Sequence, residues 1–439
     1  MPASKLIDLL RTGVVVWLFL YLCGILSFDG SSHVALLDRD LTADQATGAA
    51  SNSIKILIWV TTLILSGMLA LANKSRLRRV PTILWPLALL LIYAGFSAFW
   101  SDYPDLTIKR VFFQVVMVAT VIFIVASFEN EKQLLRSITA AGVAVILVQL
   151  AVLVMFPRAV FDVSNAFVGF QRSKNNSGAI AAIFVVHFFL QMRQAKDQKI
   201  FRSQAALTAV WAIILLASQS KSSIACAGVI VLTSIFSPKL LIWLMRSVVV
   251  FVGGVYLYIC LKFLGSGKDL LSAINDVFGN MSLTGRVNIW RVLANPMEKE
   301  FFFGHGYGAF WGVGVVNPDI FMKWSFISAL NSGHNGYIDL TLALGFVGSL
   351  IFLGWILLIA FQRADRIGPL TIAVLTITAI HNVTESSYLR DTHIMWFTLL
   401  FVVTASAMLP SRGRLERRKA VEPNCSAARQ FPRNRWRPT

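Results

Sequence analysis

His334 is the residue whose type and surroundings point most directly to proton-transfer chemistry. It stands in the segment Ser332-Gly333-His334-Asn335-Gly336, where two glycines allow backbone and imidazole to come close to a ligand. Histidine is the side chain best suited to accept a proton near neutral pH. The segment therefore predicts a general base with Asn335 beside it. The alternative interpretation is that His334 only stands at the start of a helix and has no catalytic role.

Two cations, Arg286 and Lys221, could hold a phosphate group. Thr284 is expected to cap a short amphipathic helix that runs toward Pro296, which puts Arg286 in its first turn. A cation gains nothing from the helix dipole at that end, so a partner or an anionic ligand must hold it there. Lys221 lies in a tight turn between two apolar runs, close to the bilayer surface. The alternative for Arg286 is a surface salt bridge. The alternative for Lys221 is a lysine whose alkyl chain lies along apolar surface while its charge stays in water.

Three more polar residues precede an apolar run and are candidates for substrate binding: Arg172, Lys174 and Asn175. The apolar side chains of the helix after Arg286 are expected to lie against the membrane, namely Ile289, Trp290 and Leu293. All of these positions fall at the ends of apolar runs. A site at a membrane–water boundary suits a substrate with a lipid tail and a polar head.

The elements that position these residues must be membrane helices. The 439-residue chain is 56% hydrophobic and 14% charged, and apolar runs of bilayer-spanning length recur along it. Lipid offers no partner for unsatisfied backbone groups, so such runs form helices. The sequence predicts an all-α polytopic bundle of about twelve spans at 9–28, 54–72, 82–100, 111–127, 137–156, 177–192, 204–219, 223–237, 246–264, 336–361, 369–385 and 393–409.

Residues 1–411 are predicted to form one membrane domain, with a long outer loop at about 265–333 that carries short interfacial helices. Residues 412–439 form a basic tail that is expected to be solvated and cytoplasmic. Most of the 40 basic residues fall inside if the N-terminus is cytoplasmic. That orientation gives both termini to the cytoplasm, with Arg363 and Arg366 in an inner loop. It puts the candidate site at the outer face of an inner membrane.

The net charge of +18 does not indicate nucleic acid, because basic residues punctuate apolar runs as they do in cytoplasmic loops. No metal-ligand spacing occurs among the six histidines, and none occurs among the four cysteines, Cys23, Cys226, Cys260 and Cys425. The sequence therefore predicts no metal, no cofactor and no nucleic-acid partner.

Five motifs, in this order, resemble the superfamily of O-antigen ligases and Wzy-type polysaccharide polymerases, and its exopolysaccharide-polymerase branch in particular. The segment from Gly333 to Leu340, with Leu344 to Gly348, resembles the family's H-N-x-Y-L and its following glycine-containing helix. The other four motifs are Leu283-Thr284-Gly285-Arg286 with Trp290, the run Gly304-His305-Gly306-Tyr307-Gly308, Gly169 with Lys174-Asn175 and Gly178, and Ser220-Lys221-Ser222.

The resemblance implies an enzyme that polymerises oligosaccharide units carried on polyprenyl diphosphate. His334 would be the catalytic base, and Arg286 and Lys221 would hold the diphosphate, with Arg172 and Lys174 as secondary cations. Lys221 stands where the ligases more often have arginine, so it lacks a bidentate fork. His305 would fall at a variable position. Direct in-line attack would invert the anomeric configuration without a metal.

The implied partners are the lipid-linked donor and acceptor glycans and membrane lipid, with chain-length regulators and export proteins as further candidates. An O-antigen-type ligase, which moves the glycan to another acceptor, is the first alternative. A lipid-linked sugar transporter or flippase is the second, although it needs a polar path across the bilayer that the spans do not indicate. A purely structural assembly partner is the third.

Overall fold

The computed structural model describes residues 3–28, 42–71, 74–77, 81–171, 173–266, 269–279, 281, 283–311, 332–362 and 367–409. These residues form helices joined by turns, and no β-strand occurs among them. The all-α class is therefore confirmed. In chain order the main helices are α1 (Ala3–Leu22), α2 (Thr42–Leu71), α3 (Trp85–Phe96), α4 (Pro104–Ser127), α5 (Glu131–Met155), α6 (Lys174–Gln194), α7 (Gln198–Ala217), α8 (Lys221–Phe236), α9 (Pro238–Ser266), α10 (Leu270–Phe278), α11 (Arg286–Lys299), α12 (Gly336–Ala360), α13 (Pro369–Thr384) and α14 (Ile394–Met408).

A helix is present at each of the twelve predicted spans. Helices α8, α13 and α14 are apolar but short, with 16, 16 and 15 residues. The protein is therefore a polytopic membrane protein, and the total of twelve spans stays a prediction. Among the described residues, eight segments are long and apolar enough to cross a membrane: Ser53–Leu71, Thr82–Phe99, Pro104–Ser127, Glu131–Met155, Lys174–Gln194, Gln198–Ala217, Pro238–Gly265 and Gly336–Ala360.

The long loop after α9 holds two helices, α10 and α11, and the side of α11 that was predicted to face the membrane is buried in protein. Ile289, Trp290 and Leu293 of α11 are only 8%, 0% and 1% exposed. They belong to a small core that also includes residues of α10 and Leu342 of α12. The expectation that they face lipid is wrong, because α10 and α12 offer protein surface that buries the same apolar face.

The predicted cap of α11 is also wrong. The residue before the helix is Gly285, at φ 85°, and no side chain caps the first turn. A positive φ is a conformation that glycine adopts without the steric cost of a Cβ. The left-handed turn at Gly285 therefore starts the helix at Arg286, and Thr284 falls in the preceding 3-10 turn.

Contacts between connecting segments divide the helix ends into two sets. At one end, Glu385 contacts both Asn175 and Arg286. At the other end, the turn after α2 meets the end of α4, where Arg76 donates to the carbonyl of Phe128. We call the first set the Glu385 end. The predicted tail at residues 412–439, residues 312–331 of the loop, and Arg363 with Arg366 lie outside the described residues.

Helix α12 is broken at Gly345, which has φ 65° and ψ −169°. A break inside a membrane helix frees backbone amides that lipid cannot satisfy. The chain after α11 satisfies them: the amide of Phe346 donates to the carbonyl of Phe301 at 2.7 Å, and that of Val347 to Phe302 at 3.2 Å. A side chain at Gly345 would collide with the Phe302 carbonyl. The glycines of this motif thus serve backbone packing.

Candidate functional site

Glu385 joins three segments that are far apart in the sequence. It directly follows the last residue of α13, and its side chain is 11% exposed. One carboxylate oxygen, Oε1, accepts from Asn175 Nδ2 at 2.6 Å and from the guanidinium of Arg286. The other, Oε2, lies 3.3 Å from His334 Nδ1. Three of the predicted site residues therefore meet around a carboxylate that was not predicted.

The imidazole of His334 has its Nδ1 nitrogen against Glu385. With a carboxylate facing Nδ1, the neutral ring carries its proton on Nδ1 and keeps the Nε2 lone pair as an acceptor. The side chain is 33% exposed, so a ligand can reach it. The pair with Glu385 thus orients the ring for accepting a proton at Nε2.

The backbone at His334 is strained, and the preceding residue is held by two hydrogen bonds. Its φ of 47° lies in the left-handed region, which few non-glycine residues adopt. The carbonyl of Gly333 accepts from Trp290 Nε1 at 3.0 Å, and the amide of Gly333 donates to Asp339 Oδ1 at 2.8 Å. Strain that surrounding contacts impose is a common feature of functional sites.

Asn335 has a positioning part in this site. Its Oδ1 accepts from the amides of Tyr337 at 3.0 Å and Ile338 at 3.2 Å, which caps α12. Its Nδ2 donates to the Val383 carbonyl at 3.1 Å, near the end of α13. Both polar ends of the 7%-exposed residue are engaged within the protein. A direct contact between Asn335 and substrate stays a prediction.

The electrostatics of the site depend on the ionised form of Glu385. Burial alone would raise the pKa of Glu385. The hydrogen bond with His334 and the charge of Arg286 outweigh burial, so the pKa of Glu385 lies below its usual value. The site therefore holds a carboxylate at neutral pH. It also satisfies the requirement that a partner hold Arg286 in the first turn of α11.

This lowered pKa predicts how stability depends on pH. A carboxylate with a depressed pKa adds stability that is fully present above its usual pKa of 4.5 and is lost as the pH falls through the folded-state value. We expect Glu385→Gln to have a lower melting temperature than the wild type at neutral pH. The difference should shrink as the pH falls below about 4.5. Melting curves in detergent across this range measure it.

The control for that measurement is Glu300→Gln, because Glu300 is an exposed carboxylate outside this cluster. Its melting temperature should follow that of the wild type at every pH. A wild-type-to-Glu385→Gln difference that stays constant on acidification would contradict an ionised Glu385.

The structure leaves two predicted cations, Lys174 and Lys221, outside the immediate cluster. Lys174 lies 3.8 Å from Asp162 Oδ2 and 3.2 Å from Ser164 Oγ, so it faces the turn before α6. Lys221 begins α8 as an exposed residue, directly after Ser220, whose hydroxyl lies 3.5 Å from Asn175 Oδ1. Lys221 is thus a neighbour of the cluster without touching Glu385. Arg172 lies outside the described residues.

Sequence reasoning missed Glu385, Asp339 and Arg390. Asp339 accepts from the amide of Gly333 and from Trp311 Nε1, and its Oδ2 lies 3.5 Å from Arg390. One signal could have found Glu385, because it is a charged residue at the end of an apolar run. Asn175 and His334 are polar residues at the ends of other apolar runs, and Glu385 has the equivalent position at the end of the eleventh span.

The arrangement offers two chemical functions side by side. A histidine with an oriented Nε2 can take a proton from a hydroxyl group. Arg286, on the other side of the same carboxylate, presents several N–H donors in a planar fork that suits phosphate oxygens. Together they can serve a reaction in which a hydroxyl attacks and an anion departs.

A comparison with protein families finds a match over a stretch that contains three of the predicted site residues. Residues 204–353 match the family model described as O-antigen ligase, a stretch that contains Lys221, Arg286 and His334. The predicted resemblance to the superfamily is thereby confirmed, while its exopolysaccharide-polymerase branch stays a prediction. Asn175 and Glu385 lie outside the matched stretch. No curated protein sequence matches the chain.

Proposed function

We propose that the chain polymerises oligosaccharide repeat units carried on polyprenyl diphosphate into exopolysaccharide, because residues 204–353 match the family model described as O-antigen ligase. The reaction would take place at the periplasmic face of the inner membrane. The observation that supports it most is the cluster in which Glu385 contacts His334, Arg286 and Asn175 at one end of an apolar helical bundle. A lipid-linked substrate fits there with its tail in the bilayer and its diphosphate at the Glu385 end.

In the proposed reaction, an acceptor hydroxyl attacks the anomeric carbon of the donor sugar. A new glycosidic C–O bond forms, and the bond from that carbon to the diphosphate oxygen breaks. The electron pair leaves with the polyprenyl diphosphate, and the hydroxyl proton passes to His334 Nε2. Attack in line with the departing group inverts the anomeric configuration. The diphosphate is already a good leaving group, so orientation and charge stabilisation are the main requirements.

Arg286 and Lys221 have complementary parts in holding the diphosphate. Arginine presents five N–H donors in a fixed planar fork, a shape that suits the oxygens of a diphosphate. Lys221 is exposed at the first turn of α8, where its long side chain can swing toward the same anion. The carboxylate of Glu385 keeps Arg286 in place and limits the positive charge while the site is empty.

The test uses purified protein in lipid vesicles, supplied with the lipid-linked repeat units that accumulate in a deletion strain. We expect products with several repeat units on the carrier lipid, and free polyprenyl diphosphate in equal number to the new glycosidic bonds. Neither product would form if the protein only transported the lipid or served as an assembly partner.

A ligase is the second candidate, because the matched family model carries that description. It would use the same cations and base but transfer the glycan to a different lipid or protein acceptor. The two candidates differ in chain length on the carrier lipid: a polymerase lengthens it, whereas a ligase leaves single transfers on a second acceptor. Adding host lipid extract to the vesicle assay supplies that acceptor.

The proposal requires the Glu385 end to face the periplasm. Reporter fusions after Lys74, Arg202 and Arg412 should therefore read cytoplasmic, and fusions near Gly267 and Asp319 periplasmic. The reason is the excess of basic residues in the loops assigned to the cytoplasm. A cytoplasmic reading at Asp319 would put the site on the wrong face and contradict the proposal.

A further inference from the structure

A cavity of about 520 Å³ opens at the Glu385 end, separate from the cluster around Glu385. Its lining comes from the end of α1, the middle of α2, the turn before α6, the first turns of α6 and the start of α14. We name it the Gln171 cavity and define it by Tyr21, Lys55, Ile58, Gln171, Asn176 and His393. Its volume falls within the range of about 300–1,000 Å³ that is usual for small-molecule sites.

The cavity and the cluster share the first turn of α6. Asn175 donates to Glu385, while the next residue, Asn176, lines the cavity. Successive residues of a helix point about 100° apart, so this turn presents one amide to each site. A ligand in the cavity would therefore contact Asn176, whose neighbour in the chain, Asn175, contacts Glu385.

Gln171 brings a buried polar side chain, with a donor that is unpaired in the part of the chain that the structure describes, to the lining of the cavity. The residue is 5% exposed, and its Oε1 accepts from Gln149 Nε2 at 2.7 Å. Its Nε2 has no hydrogen-bond partner among the described residues. A buried donor without a partner is unfavourable, so a ligand atom that accepts this hydrogen bond would be stabilised by it.

The other polar groups of the cavity carry little net charge. Lys55 is paired with Asp391 at 2.6 Å. His393 Nδ1 accepts from the amide of Met395 at 3.2 Å, which requires an unprotonated Nδ1 and leaves Nε2–H as a donor. Amide and imidazole donors in a neutral cavity favour hydroxyl groups over a phosphate or a carboxylate.

Apolar groups complete the lining, with Ile58 on α2 and the ring of Tyr21 on α1. Neutral donors beside apolar and aromatic surface suit a sugar ring, which has hydroxyl groups at its edge and C–H groups on its faces. We propose that the Gln171 cavity binds a neutral sugar residue of the substrate glycan, next to the reacting sugar. This inference rests on the proposed function for the identity of the glycan.

The test measures binding, which does not depend on turnover. The probe is the oligosaccharide released by mild acid from the lipid-linked repeat units of a deletion strain, titrated into purified full-length protein by calorimetry. We expect Gln171→Met and Asn176→Leu each to weaken binding about tenfold, as the loss of one hydrogen bond to the sugar would. Arg286→Ala should bind the oligosaccharide like the wild type while it loses transfer activity.

Gln194→Met is the matched control, because Gln194 is an exposed glutamine in the last turn of α6, the helix that also holds Asn176. It should bind like the wild type. Asn176 is exposed, so Asn176→Leu keeps the test valid if Gln171→Met fails to fold. Binding that neither variant weakens, or wild-type protein that does not bind the oligosaccharide, would overturn the sugar site.

Comparing oligosaccharide binding with transfer in the vesicle assay separates the possible outcomes. Transfer in the vesicle assay together with unchanged binding in both variants would overturn the cavity proposal and leave the proposed function standing. Binding that the variants weaken, without transfer by the wild type, would support the cavity and contradict the function.

Discussion

Arg286→Ala is expected to reduce glycan transfer to near the background of the vesicle assay, because it removes the planar fork that would stabilise the departing diphosphate. Arg286→Lys should restore only part of the activity, since an ammonium group replaces two parallel hydrogen bonds with a point charge. The measurement is the product formed at equal protein abundance in the vesicles.

A stability effect must be separated from this catalytic one. Arg286→Ala leaves the buried carboxylate of Glu385 without its main cation, and an uncompensated buried charge costs about 3–5 kcal/mol. The double variant Arg286→Ala with Glu385→Gln removes that charge. It should melt at a higher temperature than Arg286→Ala and still be inactive.

Arg291→Ala is the matched control on the same helix. Arg291 donates to Asn275 Oδ1 at 2.8 Å and to the Gly279 carbonyl at 3.0 Å, so it ties α11 to α10 away from Glu385. It should lose some stability and keep its activity. Full activity in Arg286→Ala would show that Arg286 has only a structural part.

The second large effect is expected at His334. His334→Ala should lower transfer by about 100-fold or more, in line with typical contributions of a general base. His334→Asn should be equally inactive, because asparagine tolerates the positive φ of this position but cannot take up the proton. Binding of the lipid-linked donor should change little in either variant, since Arg286 and Lys221 still hold the diphosphate.

His305→Ala is the histidine control. The ring of His305 lies against Phe310, and its Nε2 lies 3.1 Å from the Pro296 carbonyl, so it holds the turn after α11. Its replacement should cost far less activity than that of His334 when both proteins are equally abundant. An inactive His305→Ala beside an active His334→Ala would assign the base to the other histidine.

The sequence by itself determined where in the chain helices form, although several begin earlier than predicted, such as α4 at Pro104 instead of 111 and α9 at Pro238 instead of 246. Each apolar run had to become a helix because lipid leaves no other partner for backbone groups, and a helix was found at all twelve predicted positions. The candidate base His334 and the candidate phosphate-binding residue Arg286 could also be identified from the sequence. Glycine neighbours and a cation at the start of a helix are local features. The unfavourable position of Arg286 correctly required a partner.

The tertiary structure decided which ends meet. Glu385 is 51 residues from His334, 99 from Arg286 and 210 from Asn175, and no local periodicity relates such positions. The same holds for Trp290, whose apolar face was read as lipid-facing although α10 and α12 bury it. Hydropathy records only that a side chain avoids water, and lipid and protein interior satisfy that preference equally. Only packing determines which of the two a residue meets.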